Sequence, residues 1–597
     1  MANKLAAGPR PSPQVRLRGW AHLPVLALLL GSVVLAGCQS RTNVSATGNT
    51  PAQFTHVFVT VNQIWFNTSA TALATDSSWS EFTLSTPQTV DLVNLTNGTL
   101  SQFASDLKLS TGTYAQVMLI LADSTDALTS AAESAGAATN DEVDYVDASD
   151  VAHTVPLAVL NAAQGIRIST SLTVSASTSS GFGSPTTAST TTTSTDDEIT
   201  TSSAATTTPS SSGTSALSAV VSTTNAVIDF DATRDLVPIS LSGQPAYALN
   251  PHPQVYDQKY SGTIAGTVSL TGVTTLTTAG NPDVQVAAEG LSTDGTRHVI
   301  VKTTRVNADG SFSLYPLSTA SGAPSTYDVV IHGPTIETTI IKGVPVTSGD
   351  PTSATAVLGT LTLTAATPYL VNFNTSSPAT PTSSVVGFYQ TLPLDSEVPY
   401  LIEVRPVDPT SGLFAADQDL SGGSLQYGTY VSGGTVSLTN VNPSQGVATY
   451  AIGAINPAYA QSSLGTTVTA PSNASATALF TMTAPPVPSG SAANSITGTV
   501  TVTSPGSYDN ATLFLTYSGA LVAAAPLTGY LSGSTSLSLT AVAPGGSSGA
   551  AYGPGIYNAE VWAWNSANPA GTLTRLPYGS TIDMSAGNAS GVALTIP

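Results

Sequence analysis

Phe54-Thr55-His56-Val57-Phe58-Val59-Thr60-Val61 decides the fold class. Successive side chains of an extended strand point to opposite faces, so Val57, Val59 and Val61 share one side of it. The same alternation returns along the whole chain: Thr89-Val-Asp-Leu-Val-Asn-Leu95, Gly112-Thr-Tyr-Ala-Gln-Val-Met-Leu-Ile-Leu121, Ala226-Val-Ile-Asp-Phe-Asp231 and Ala246-Tyr-Ala-Leu249. Short alternating runs between clusters of Gly, Pro, Asn and Asp are the pattern of β-sandwiches, and no amphipathic helix of normal length interrupts them. The expectation is an all-β chain of tandem β-sandwich domains, Ig-like or transthyretin-like in type.

The blocks Val61-Asn-Gln-Ile-Trp-Phe66, Thr89-Val-Asp-Leu-Val-Asn-Leu-Thr-Asn-Gly98, Gly112-Thr-Tyr114 and Ile228-Asp-Phe-Asp-Ala232 resemble the domain of unknown function 4382 family over residues 52–258. The resemblance implies an extracytoplasmic β-domain and carries no catalytic residues. Residues 177–224 interrupt it with Ser and Thr and few large apolar side chains. Such a stretch buries too little surface to offset its ordering entropy, and is expected to be a disordered insertion.

A second unit, 259–365, opens with Gly262-Thr-Ile-Ala-Gly-Thr-Val268. It continues through an expected hairpin turn at Asn307-Ala-Asp-Gly310 to the strand beginning Thr326-Tyr327. These parts resemble the carboxypeptidase-regulatory-like, transthyretin-like module, which implies an accessory β-sandwich. Residues 489–597 repeat the order: Ile496-Thr-Gly-Thr-Val500, Ser536-Leu-Ser-Leu539 and Gly555-Ile-Tyr-Asn-Ala-Glu-Val-Trp562. Tyr114, Tyr327 and Tyr557 each follow a turn and lead an apolar strand, as expected of an aromatic that packs at strand entry and bonds through its hydroxyl. Residues 366–488 read as a further β-rich domain, with Pro485-Pro-Val-Pro488 as a linker.

The amino-terminal 37 residues read as a leader. Lys4, Arg10, Arg16 and Arg18 precede an apolar run over about 23–35, too short to span a bilayer, and Leu35-Ala-Gly-Cys38 closes it. This resembles a bacterial lipoprotein signal and implies acylation of Cys38, the single cysteine of the chain. Two or more acyl chains give stable anchoring. Pro24 argues against an uncleaved anchor over Trp20–Cys38. Gln39, standing where an Asp would retain the protein in the inner membrane, favours the outer membrane by analogy. Residues 38–51 are expected to be a tether.

Composition narrows the partners. With 35 acidic against 15 basic residues and a net charge of −20 over 597 residues, the surface repels phosphate backbones, so nucleic acid is disfavoured. The expected partners are the membrane, through Cys38, and envelope proteins or glycans. No cofactor is implied.

Tests for chemistry give little. Gly545-Gly-Ser-Ser-Gly549 matches a hydrolase elbow by letter, but an elbow needs a strand, a helix and a downstream histidine, and the last histidine is His332. His56, His153, His252, His298 and His332 lack ligand spacing. Asp141, Glu142, Asp144, Asp147 and Asp150 are dense enough for calcium but lack an EF-hand pattern, so a solvated acidic loop is favoured. No pair of carboxylates stands out for sugar hydrolysis, and aromatics make up only 6%. The chain is read as non-enzymatic.

One face remains as a candidate. Glu560, Trp562 and Trp564 lie at i, i+2 and i+4 of one strand, opposite Ala559, Val561 and Ala563. If the small residues face the core, two tryptophans stand beside a carboxylate on an open surface suited to sugars or a protein partner. If not, the tryptophans fill the core of the last sandwich, the reading favoured because small inward residues alone pack a sandwich poorly. The presentation expected is four sandwiches in file, reaching on the order of 100 Å from the membrane.

Overall fold

The computed structural model describes residues 39–147, 150–175, 223–241, 244–273, 282–349, 354–374, 385–393, 398–406, 415–441, 448–455, 464, 466–470, 476–477, 495–517, 519–540 and 555–597. Cys38, the expected leader, Ser547 and nearly all of the Ser/Thr-rich stretch 177–224 lie outside these residues. The protein is all-β, built as tandem β-sandwiches.

One arrangement recurs four times. In each unit an opening strand is central in the smaller sheet, antiparallel to a middle strand on one side and parallel to a late strand on the other. The openers are Gln39–Asn49, Ser261–Ser269, Pro368–Asn374 and Ser495–Val502. The parallel partners are Thr223–Asp231, Ala356–Thr362, Ala476–Thr477 and Ala589–Ile596. The segment 366–488 is therefore a third copy of the repeat. Its opener, Pro-Tyr-Leu-Val-Asn-Phe-Asn, lacks the Gly-Thr-Val cue that marks the second and fourth.

The first unit starts earlier than its hydrophobic pattern suggests. The stretch expected to be a tether is the strand Gln39–Asn49, between Ser101–Ser110 and Thr223–Asp231. Only Val44 and Ala46 of it enter the core, so its attachment comes from backbone hydrogen bonds to both neighbours rather than from apolar alternation. Thr223 and Thr224, placed in the insertion by composition, belong to that parallel partner. Against this sheet stands a larger one, whose central strand Phe54–Asn67 pairs with Ser80–Asp91, Gly112–Leu121 and Glu142–Val146 along its length. Val57, Val59, Val61, Ile64 and Phe66 from that strand line the shared core.

The turn at Asn307–Gly310 is tight: Gly310 sits at φ +83°, and its N–H reaches the Asn307 carbonyl at 2.9 Å. It does not make the expected hairpin. The strands on either side, His298–Arg305 and Ser311–Ser318, belong to opposite sheets, so the turn carries the chain across the sandwich. Tyr114 and Tyr327 behave as strand-entry aromatics. The Tyr114 hydroxyl donates to the Ser110 carbonyl and that of Tyr327 to the Ser318 carbonyl, both at 3.0 Å. Burial pushes the Tyr327 phenol up to about 12.

The units are not strung in file. The hairpin Leu425–Thr429/Thr439–Val441, from the third segment, extends the larger sheet of the second unit by pairing with Thr339–Pro345. Ala287, Val330 and Ile340, on the outer face of that sheet, pack with Phe388, Tyr400 and Tyr450 of the third unit. The fourth unit folds back onto the first.

Candidate functional site

The strand Ile556–Trp564 divides its side chains between two environments. Ala559, Val561 and Ala563 face into the fourth sandwich, where Leu513, Leu515, Met584 and Leu594 supply the bulk. Glu560, Trp562 and Trp564 face outward, yet none is open to solvent: their relative exposures are 0%, 1% and 6%. The covering surface is the first unit. Trp562 and Trp564, with Phe514 and Leu521, close on Ala158, Leu160, Ile239 and Ala248. Neither sequence alternative holds, because partners elsewhere in the chain fill the core and a second domain covers the tryptophans.

The contact has a polar centre. Arg575, on the neighbouring strand Thr574–Pro577, donates to Glu560 Oε1 at 2.7 Å, Asp123 Oδ1 at 2.8 Å and the Val159 carbonyl at 2.8 Å. Glu560 also accepts from the indole Nε1 of Trp562 and from the backbone N–H of Asn161, each at 2.8 Å. Burial alone would lower the Arg575 pKa, but Glu560 and Asp123 outweigh it and hold the guanidinium above its ordinary value. Its plane lies over Trp562, 5.5 Å from the ring centroid, while Phe514 meets the same indole edge-on at 5.0 Å.

Two asparagines fix the register. Asn161, in the left-handed region at φ +53°, donates from its side chain to Thr516, and Asn250 accepts from the Leu521 N–H. Gly519, at φ +88°, passes so near the first unit that a Cβ there would stand 2.9 Å from the Ile166 Cα. Asn161 and Asn250 escaped the sequence reading because they lie hundreds of positions from the strand 556–564, and Arg575, only 15 positions after Glu560, because it forms no motif with it.

The acidic cluster is solvated only at one end: Asp150 is exposed and Asp144 and Asp147 are half-buried. Asp141 and Glu142 are buried, at 0% and 3% exposure. Asp141 accepts from the Thr60 N–H, and Glu142 from the N–H groups of Ala138 and Thr139. Asp147 pairs with His153 at 2.8 Å. Their backbone partners disperse these carboxylates, and among the described residues no group of three or more His, Cys, Asp or Glu could hold a metal ion.

Burial drives the Asp141 carboxyl well above its usual range, against the Thr60 hydrogen bond. A carboxyl raised in the folded state adds stability fully below its unfolded value of about 3.9 and loses it as pH rises through the folded value. Urea titrations of wild type and Asp141→Asn should therefore shift in favour of Asn as pH rises from about 3.9 toward neutrality. An unchanged difference would show that Asp141 does not titrate in that range.

The remaining histidines stand apart. His56 bonds Asp91 at 2.8 Å, His252 lies 3.4 Å from Asp235, and His298 stacks on Tyr400 at 3.9 Å. His332 lines a polar cleft of about 260 Å³ with Gln53, Asp283, Glu403, Arg405 and Tyr450. Burial first, then the Arg405 charge, pulls His332 down to about 3. An imidazole that weakly basic is poorly matched to general-base chemistry near neutrality.

With this geometry in view, the comparisons with known proteins bear on the first unit. Residues 40–251 match the model of a family described as Domain of unknown function (DUF4382). The DUF4382 match begins within the strand Gln39–Asn49 and contains Asp123, Val159 and Asn161, the first unit's half of the contact. No curated protein matches the chain in sequence.

Among solved structures, a DUF3823 family protein from Parabacteroides merdae aligns at 11% identity and TM-score 0.11, covering 54% of this chain and 98% of its own. Two B repeat units of the collagen binding protein of Staphylococcus aureus align at 10% and 0.09, covering 88% and 93%. The major pilin subunit of Bacillus cereus, BcpA, aligns at 10% and 0.10, covering 56% and 98%. At these TM-scores the likeness extends to no site.

Proposed function

We propose that the chain is a lipid-anchored, non-enzymatic protein of the cell envelope, held at the outer membrane by acylated Cys38. Its folded-back sandwiches would act there as a compact platform for contacts with other envelope proteins. The supporting observation is where the chain's chemistry-bearing groups are used. Glu560, Trp562, Trp564, Arg575 and Asp123, the residues best suited to recognise a ligand, are engaged between two of its own units. A glycan-binding role through the Trp562/Trp564 face is set aside, since that face is covered.

Expression of wild type and Cys38→Ser in a bacterium supplied with an alkyne-tagged fatty acid tests the anchor. Wild type is expected to take up label and stay with membranes through a high-salt wash, and Cys38→Ser to do neither. Unlabelled wild type, or a Cys38→Ser variant that keeps its label, would overturn the anchoring. Surface protease treatment of intact cells then tells an outward-facing platform from a periplasmic one.

A further inference from the structure

The first and second units meet across a second buried contact, and its chemistry differs from that of the Arg575 network. Asp229 lies on Thr223–Asp231, whose alternate residues Ala226, Ile228 and Phe230 enter the core of the first sandwich, so Asp229 points away from that core. There it meets Lys302, from the strand His298–Arg305 of the second unit. The two side chains are 2% and 9% exposed, and Lys302 Nζ is in hydrogen-bond contact with Asp229 Oδ1.

Contacts around the pair hold the strand His298–Arg305 against the first unit. Asn49 donates to Thr303 at 2.8 Å, Asn97 receives the Thr304 hydroxyl at 3.1 Å, and Arg305 reaches the Val93 carbonyl at 3.3 Å. Amine nitrogen and carboxyl carbon are thus fixed against each other with little water between them, the condition under which an intramolecular reaction gains most.

We infer that Lys302 and Asp229 condense to an amide, a covalent staple between the first and second units. One proton passes from the ammonium to the carboxylate, giving an amine and a carboxylic acid. The Nζ lone pair then attacks Cγ, the N–C bond forms, and the C–OH bond breaks. The hydroxyl leaves as water, with the second proton lost from nitrogen, and one N–H remains on the amide. Atoms and charge balance without an oxidant, a reductant or a co-reactant.

The surroundings ease the proton onto Asp229, as the first step needs. Burial pushes the Asp229 carboxyl up to about 6, against the pull of Lys302. Asp231 and Arg234 add charges of opposite sign nearby, and Tyr256 faces the same space. Condensation would also remove two buried charges, whose desolvation an ion pair recovers only in part.

Tryptic digestion of the unfolded full-length protein reads the bond directly. The expected product is a branched peptide joining His298–Arg305, uncut after Lys302, to Ile168–Arg234, and about 18 Da lighter than the two together, the mass of the water lost. Recovery of His298–Lys302 and the unmodified Asp229 peptide as separate species would overturn the proposal. Lys302→Arg keeps the positive charge but cannot form this amide, and should give only unlinked peptides of sequence mass. If its Asp229 peptide were still lighter by the same amount, the dehydration would be local to Asp229 and the cross-link would fall. Should Lys302→Arg fail to fold, the wild-type peptide map alone decides.

Discussion

Arg575→Met is expected to weaken the docking of the fourth sandwich on the first by about 3–5 kcal/mol, the usual consequence of removing one partner of a buried pair. The variant keeps most of the aliphatic volume over Trp562 but strands Glu560, which has no exposed surface, beside Asp123 with no cation between them. Most of the loss comes from that uncompensated charge, so adding Glu560→Gln should cost much less than the sum of the two single changes. Guanidinium titrations followed by tryptophan emission measure it, because Trp562 and Trp564 pass from a dry interface into water. A loss within about 0.5 kcal/mol of zero, typical of an exposed substitution, would mean that the ion network does not close the contact.

Trp562→Ala is expected to have an effect of similar size by a different route. The indole packs against Phe514, lies under Arg575 and donates to Glu560, and truncating a buried tryptophan typically costs about 3–5 kcal/mol. None of those groups belongs to the core of the fourth sandwich, which Ile496, Leu513, Val561 and Leu594 fill from the other side of the strand. The fourth unit should therefore stay folded while undocked. Hydrogen exchange should rise at Asn161 and Leu521, which bond across the contact, and stay slow along Ser495–Val502. Equal loss of protection in both places would mean that the tryptophan supports the sandwich itself. Because Trp562 and Arg575 touch, the two changes should not add.

What was legible in the sequence was whatever a strand decides for itself. Alternation placed Val57, Val59 and Val61 on one face, and the strand-entry tyrosines announced themselves by their position after turns. The two-face reading of 556–564 was sound as geometry but could not reveal a cover, since Asn161, which bonds Glu560, stands 399 positions away. The favoured reading erred because it supposed that Ala559 and Ala563 had only small neighbours; Leu513, Leu515 and Met584 supply the volume. The acidic residues misled for a related reason. Asp141 and Glu142 are buried by accepting backbone N–H groups, and backbone donors leave no mark in a sequence.

The opening strand Gln39–Asn49 has a consequence for how the protein is made. It is among the first parts of the domain to leave the ribosome or an export channel, yet its parallel neighbour follows late: Asn225, which bonds Asn43, comes 182 positions behind it. Until then one edge of the strand has no lawful neighbour, and an open edge is a template for pairing with the wrong chain. A strongly apolar β-segment waiting that long would invite other copies emerging alongside it. Gln-Ser-Arg-Thr-Asn-Val-Ser-Ala-Thr-Gly-Asn is a poor adhesive by comparison. The quality that hides this strand from a reader of hydrophobic patterns also lets it wait in safety until its neighbour arrives.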